Sequence, residues 1–213
     1  MNILLIGAHG FVGSAVWQEA RQRGHRVTAL VRSEDKGRAL GADSDWVVGD
    51  ARDTGALAAL LAQQEVLVSA FNAPAGAHQR EAFVSGSEAI IDAAHQAGKR
   101  LLVVGGAGSL FVAPGLQLVD TPAFPTEWKA MAEGARDVLN LLQQAPASLD
   151  WTLLSPPALL AAGERRGHYR RGRDQLLMDG EQPAGISVAD LAVALVDELE
   201  QPQARRQRFT VAA

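Results

Sequence analysis

The sequence predicts an α/β architecture, a doubly wound parallel sheet with helices on both faces, and three observations predict it. Six short apolar runs alternate with helix-period segments along the first three-quarters of the chain. A glycine-rich turn follows the first of those runs. The chain has 213 residues, 47% of them hydrophobic, enough to build one substantial core rather than several small ones.

The elements follow in order. Ile3 to Ile6 is a continuous apolar run stopped by glycine, the pattern of a strand buried on both faces. Phe11 to Arg23 carries Val12, Val16 and Ala20 at helical spacing and ends at Gly24, and Val27 to Val31 resumes as a second strand. This strand, helix, strand unit is the size of one parallel crossover. Asp45 to Val48 is a third strand, Thr54 to Gln63 a helix with Leu57, Leu60 and Leu61 on its inner side, and Val66 to Ala70 a fourth strand. A helix over about Gln79 to Gln96 leads to a fifth strand, Arg100 to Val104.

Residues 109 to 126 hold Pro114, Pro122 and Pro125, too many for a helix, so this segment is expected as a loop near the mouth of a site. A helix from about Glu127 to Gln144 buries Met131, Val138, Leu141 and Leu142, and Asp150 to Leu154 is the sixth strand. Beyond it the rhythm changes. Gln175 to Met178 is a candidate short strand, Val188 to Leu199 a helix and Arg208 to Val211 a last strand. The chain is expected to be one domain, with residues 155 to 213 forming the outer wall of the substrate cleft.

Composition narrows the function. The formal charge of -4 gives no overall positive field to hold a polyanion, so neither nucleic acid nor its backbone is an expected partner. The arginines at 165, 166, 170, 171, 173, 205, 206 and 208 then read as solvated loop or strand-edge charge. Without cysteine there is no disulfide, thiol nucleophile or thiolate metal site, and the five histidines form no ligand pattern with carboxylates, so no metal is expected. The apolar start MNILLI is broken at once by glycine, which does not read as a signal peptide, and no run approaches the length of a membrane span. A cytoplasmic, membrane-free protein is expected. Apolar helical surface is compatible with a homodimer and equally with simple core packing.

The turn Gly7-Ala8-His9-Gly10-Phe11-Val12-Gly13 joins the first strand to the first helix. Gly7 permits the tight turn, Gly10 lets backbone approach a pyrophosphate, and Gly13 lets the helix pack close to the sheet, while the helix N-terminus offers unpaired N–H groups to the phosphates. The spacing G-x-x-G-x-x-G lacks the Lys-Ser/Thr ending of a mononucleotide loop, and its position in a strand-turn-helix unit points to a Rossmann-type dinucleotide site. At the end of the second strand Arg32 stands where an acid would hold the ribose hydroxyls of NAD(H). With Ser33 and nearby Lys36 it favours a 2′-phosphate, so NADP(H) is preferred and NAD(H) remains open. Asp50, followed by Ala51, is read two compatible ways, as acceptor for the adenine amino group or as a turn cap before the next helix. Ser69, Ala70, Phe71 and Asn72 end the fourth strand on the ribose side, and Gly105 to Ser109 end the fifth at the same carboxyl edge.

With these residues in place, the chain resembles the atypical short-chain dehydrogenase/reductase group, and within it the NADH-flavin reductases related to NmrA-like and biliverdin/flavin reductase proteins. The matching stretches are GAHGFVG at 7 to 13, LVR at 30 to 32, GDARD at 49 to 53, VVGGAGSL at 103 to 110, LVDTPAFP at 118 to 125, DWTLLSPP at 150 to 157, GERRGHYRRG at 163 to 172 and ISVADLAVALVDELEQP at 186 to 202. The resemblance implies a cytosolic NAD(P)H-binding protein that acts on flavins or quinone-like small-molecule acceptors. It implies that Gly7, His9, Gly10, Phe11, Val12, Gly13, Arg32, Asp50 and Phe71 contact the adenosine and diphosphate, that Ser155 and Pro156 lie near the nicotinamide, and that Ser109 and Lys129 face the reacting end.

One departure bears on mechanism. Classical members use a Tyr followed four positions later by Lys. If Lys129 is that Lys, the Tyr position is Pro125, and the chain's one tyrosine is Tyr169, far away in sequence. Alcohol oxidation and epimerisation lose their acid/base group, whereas a flavin or quinone accepts hydride and takes its proton from water. Ser109 reads equally as a turn hydroxyl, and Lys129 as an exposed helix lysine. Hydride transfer to a flat acceptor is therefore the first expectation. A non-catalytic NAD(P)-binding sensor of the NmrA-like type is the second, and a carbonyl reductase or isomerase using His168, Tyr169 or solvent the third.

Overall fold

A computed structural model describes residues 1–74, 76 and 78–213. Its centre is an eight-stranded sheet built from β1 (Asn2–Ile6), β2 (Arg26–Val31), β3 (Asp45–Val48), β4 (Val66–Ser69), β5 (Arg100–Val104), β6 (Trp151–Ser155), β7 (Arg170–Gly172) and β8 (Gln207–Ala212). The spatial order is β7-β8-β6-β5-β4-β1-β2-β3, with every neighbouring pair parallel except β7 and β8. From β1 the chain runs outward to β2 and β3 and then returns to the other side of β1 at β4. The crevice between the carboxyl ends of β1 and β4 is thus the switch point at which ligands bind in this architecture.

The continuous apolar runs are explained by two cores, one on each face. Along β1, Ile3 and Leu5 pack with Val16, Trp17 and Ala20 of α1 (Phe11–Gln22), whereas Leu4 and Ile6 face the opposite side. Consecutive side chains of a strand point to opposite faces, so a strand covered twice must be apolar at every position. The second core is closed by α3 (Thr54–Leu61), α4 (Gln79–Ala97) and α5 (Thr126–Gln144), and α6 (Val188–Glu200) shares the first face with α1. Leu57 and Leu61, then Val138 and Leu142, occupy the buried stripes at spacings of four, as an amphipathic helix requires.

Two elements fall outside the sequence expectation. The helix α2 (Glu34–Arg38) has five polar-rich residues, too few turns to show a period, and is started by Ser33, whose Oγ accepts the Lys36 N–H. The edge strand β7 reads Arg-Arg-Gly and has no apolar alternation. It is held instead by the Arg171 guanidinium, which donates to Glu198 at 2.7 Å and stacks 4.0 Å from the Phe209 ring. The candidate strand at 175–178 shrinks to Met178–Asp179, paired with Gln182–Pro183.

Of the tail expected to contribute the cleft wall, a short stretch at Ala158 and Leu159 lines the cleft, while the rest is used elsewhere. Residues 170–172 and 207–212 extend the sheet, α6 packs against α1, and Leu159–Ala161 pairs with Gly185–Ser187. From residues 155–213 only Ala158 and Leu159 reach the cleft described below. The 109–126 segment does lie at the mouth, folded into a short hairpin of Phe111–Ala113 and Leu116–Gln117 followed by a turn of 3-10 helix.

Candidate functional site

The local chemistry of the first crossover makes the site. Gly7 turns the chain at φ +88, in the left-handed region, and a Cβ there would lie 2.2 Å from the Ala70 carbonyl oxygen. The Gly10 N–H closes the turn on the Gly7 carbonyl at 2.8 Å, and the Ser14 N–H donates to the Gly10 carbonyl at 2.9 Å to begin α1. A Cβ on Gly13 would sit 2.0 Å from that same Gly7 oxygen, so only glycine lets the first turn of α1 fold back onto the loop. The N–H groups of Phe11, Val12 and Gly13 precede any carbonyl that an α-helix could offer them. No side chain caps them, which leaves donors for an anion at the switch point.

Two cavities adjoin along this edge. The first, about 380 Å³, is lined by Gly7 to Gly10, Arg32, Lys36, Asp50, Ala51, Arg52 and residues 70–74. The second, about 740 Å³, is lined by Gly10 to Gly13, Gly105 to Gly108, and an apolar set that includes Phe83, Phe124, Trp128, Met131 and Leu159. Gly10, Ala70, Phe71 and Asn72 line both, so the two halves make one groove across the β1–β4 crevice.

Most of the residues expected at the cofactor are brought together here. His9 lines the first half, and its Nε2 lies 2.7 Å from the Lys36 carbonyl, tying the loop to α2. Arg32 and Lys36 face that half and enter no ion pair with a described residue. Asp50 takes the turn-cap role in full: its Oδ1 accepts the Arg52 N–H at 2.9 Å and its carboxylate pairs with the Arg52 guanidinium at 2.6 Å. Those side-chain and backbone bonds from Arg52 hold its carboxyl below the usual carboxylate range. Phe71 stacks on Phe83 with ring centroids 6.1 Å apart, forming the floor where the halves meet.

Six expected residues are not brought to the groove. Ser109 is 2% exposed, and both its hydroxyl and its carbonyl accept from Arg208 Nη1, at 2.9 and 2.8 Å; it holds the 3-10 turn after β5 and is not a catalytic hydroxyl. Lys129 lies on α5 but outside the lining, because the cleft face of that helix is set by Trp128, Met131, Ala132 and Ala135. Ser155 is fully buried opposite Thr210 of β8, and neither it nor Pro156 lines a cavity. Ser69 is buried and its Oγ accepts the Phe71 N–H at 3.4 Å, shaping the turn rather than facing a ligand. Ser33 is outside the lining and caps α2.

The third expectation loses its residues too. The Tyr169 phenol donates to Asp197 Oδ2 at 2.6 Å against α6, and neither Tyr169 nor His168 lines the groove. Burial, and then the bond to Asp197, push the phenol upward, the opposite of what a proton-transferring tyrosine needs. Conversely, Phe83, Phe124, Trp128 and Leu159 were not singled out from the sequence. The available signal is Trp128, which with Met131 and Ala135 makes a helical stripe directly after the proline-rich loop, yet is 63% exposed.

The model of the NAD(P)H-binding family matches residues 7–202. The chain belongs to the NAD(P)H-binding family. The uncharacterized protein YwnB of Bacillus subtilis (strain 168) is 40% identical over 99% of this chain and 98% of its own. Among solved structures, a Burkholderia pseudomallei protein described as a candidate exported protein is 42% identical with a TM-score of 0.88, each chain covered in full. A candidate NADH-flavin reductase from Streptococcus pneumoniae TIGR4 is 32% identical with a TM-score of 0.83, over 100% of this chain and 99% of that one. This family membership accords with the resemblance to the atypical short-chain dehydrogenase/reductase group. No helix among the described residues is long and apolar enough to cross a membrane.

Proposed function

We propose that this NAD(P)H-binding chain is a reductase that favours NADPH and passes a hydride to a small flat acceptor, a flavin or a quinone. The observation that carries the proposal is the second cavity. It adjoins the phosphate-binding turn, has a volume of about 740 Å³ and is walled by Phe11, Phe71, Phe83, Phe124, Trp128 and Met131. Aromatic and aliphatic walls of this kind suit a planar ring system of low polarity.

The residues present fit a dinucleotide. Glycines at 7 and 13 let the turn pack on Ala70 and let α1 fold back onto the turn, and the first-turn N–H groups of α1 that this presents are positioned for a diphosphate. Arg32 and Lys36 are the cations that would hold a 2′-phosphate. A bound dihydronicotinamide supplies the hydride. The chain's own part is to hold the acceptor ring against Phe71 and Phe124, exclude bulk water with Phe11 and Trp128, and leave protonation to solvent at the open mouth. Among the described residues neither a tyrosine nor a thiol lines this cavity. The likeness to the candidate NADH-flavin reductase supports the same acceptor class.

The test is purified protein with NADPH or NADH and a panel of flavins and quinones, following loss of the reduced-nicotinamide absorbance. Acceptor-dependent oxidation, with kcat/KM for NADPH about tenfold or more above that for NADH, is expected. Tight cofactor binding without oxidation of any acceptor would replace the reductase with a dinucleotide sensor.

A further inference from the structure

We infer that the acceptor half of the groove selects an uncharged flat acceptor over one bearing a phosphate or carboxylate, and that Glu127 sets this discrimination. The inference rests on reading that half as the acceptor site and goes further by naming the charge class of what enters it.

Charge is segregated along the groove. Arg32 and Lys36 line the adenosine half together with the paired Arg52 and Asp50, which leaves that half with a net positive lining. In the acceptor half the one charged lining side chain among the described residues is Glu127, in the first turn of α5. Glu127 is exposed and enters no ion pair with a described residue.

Two arginines of α4 and α5 are committed to other carboxylates. Arg80 of α4 donates to Glu133 at 2.6 Å and Asp137 at 2.7 Å, and Arg136 of α5 to Asp120 at 2.8 Å and Gln117 at 3.2 Å. Lys129 lies on α5 outside the lining. An anionic substituent on the acceptor would meet the Glu127 carboxylate and no cationic lining side chain among the described residues. A dinucleotide diphosphate held at the α1 N-terminus would add further negative charge beside the same cavity.

The polar groups that do line this half are neutral and suit ring heteroatoms. The Thr121 hydroxyl donates to the Leu118 carbonyl at 2.8 Å and keeps lone pairs to accept a ring N–H. Gln79 Nε2 donates to the Ala73 carbonyl at 3.2 Å, which leaves its own carbonyl oxygen available, and Asn72 offers both a donor and an acceptor. Such a set satisfies carbonyl and imide edges without needing a charge.

Riboflavin and FMN share one ring and differ by a phosphate, which makes them the probes. Binding of each to the protein loaded with NADP⁺ is measured by quenching of flavin fluorescence. Riboflavin is expected to bind about fivefold or more tighter at low ionic strength, and the gap to shrink below about twofold at high salt. Glu127→Gln is expected to raise FMN affinity and narrow the gap, and Glu127→Lys to reverse it. FMN binding as tightly as riboflavin to the unaltered protein, a gap that Glu127→Gln leaves in place, or binding of neither flavin would overturn the inference. NADPH oxidation followed in parallel separates the two readings. Selective riboflavin binding without turnover of any acceptor sinks the reductase and keeps the charge selection, whereas turnover that prefers FMN does the reverse.

Discussion

The arginines at the carboxyl edge of the sheet and the arginines of the tail differ in what faces them. In the tail, Arg165 donates twice to Glu19, Arg171 donates to Glu198 alongside Arg100 of β5, and Arg208 is shared between Asp174 and Ser109. Arg206 donates to the carbonyls of Ala145, Pro146 and Leu149. At the cleft, Arg32 and Lys36 are exposed and enter no ion pair with a described residue. A cation is therefore committed to the fold where an acceptor meets it and left without an ion pair at the cleft, where among the described residues Arg32 and Lys36 meet none. Arg165, Arg171, Arg206 and Arg208 thus commit their charge to the protein itself.

The sharpest way to break this contrast is to remove an acceptor on one side and a donor on the other. Glu198 is fully buried and also accepts the N–H groups of Gln203 and Ala204. Glu198→Ala leaves Arg100 and Arg171 without it, and urea unfolding should show a loss of about 3–5 kcal/mol. In thermal unfolding that corresponds to a midpoint lower by roughly 6–20 °C for a chain of this size. NADPH affinity per folded molecule should stay unchanged. Arg32→Ala should do the reverse: stability within about 0.5 kcal/mol of the parent, but NADPH binding weaker by about 10–100-fold with NADH binding little altered. Equal loss of both cofactors, or no loss of NADPH, would show that Arg32 does not read the 2′-phosphate.

The same contrast explains what was legible in the sequence. The phosphate turn, β1 and α1 are contiguous, and each carries its own signal: a run of apolar residues, glycines at a turn, and a helical stripe. The adenosine half of the groove was legible with them, because Arg32 and Asp50 sit at strand ends that the pattern locates. The acceptor half was not, because Phe83, Phe124, Trp128 and Leu159 come from separate segments and nothing in an isolated aromatic residue says which cavity it walls. Ser109 shows how a local signal misleads. A serine after glycines at a strand end has the look of a reactive hydroxyl, and only the fold brings Arg208, 99 residues later, to occupy it. In the same way β7 could not be seen, since its partners, Glu198 and Phe209, lie far along the chain.

The mildest test concerns pH and discriminates within the tail network itself. Glu19 is 4% exposed on α1, and its carboxylate accepts from Arg165 and Arg23, the first at 2.7 and 2.9 Å and the second at 2.7 Å. The bond from Arg165, opposed by burial and supported by Arg23, holds its carboxyl below the ordinary value of 4.5. A carboxyl depressed in the folded state contributes stability that is complete above its unfolded pKa and is lost as the pH falls through the folded one. The parent should therefore lose stability on going from about pH 6 to below pH 4 by more than Glu19→Gln does, with the two curves converging at the acid end. The difference at neutral pH should be about 1.5–3 kcal/mol, the usual worth of a charge-assisted bond and less than the loss at Glu198. Parallel curves would mean that the Arg165 and Arg23 contacts add nothing in solution. The tail loop would then be held by its bonds to the start of α6, where the Asp190 Oδ1 accepts the N–H groups of Arg166 and Gly167 at 2.8 and 2.7 Å.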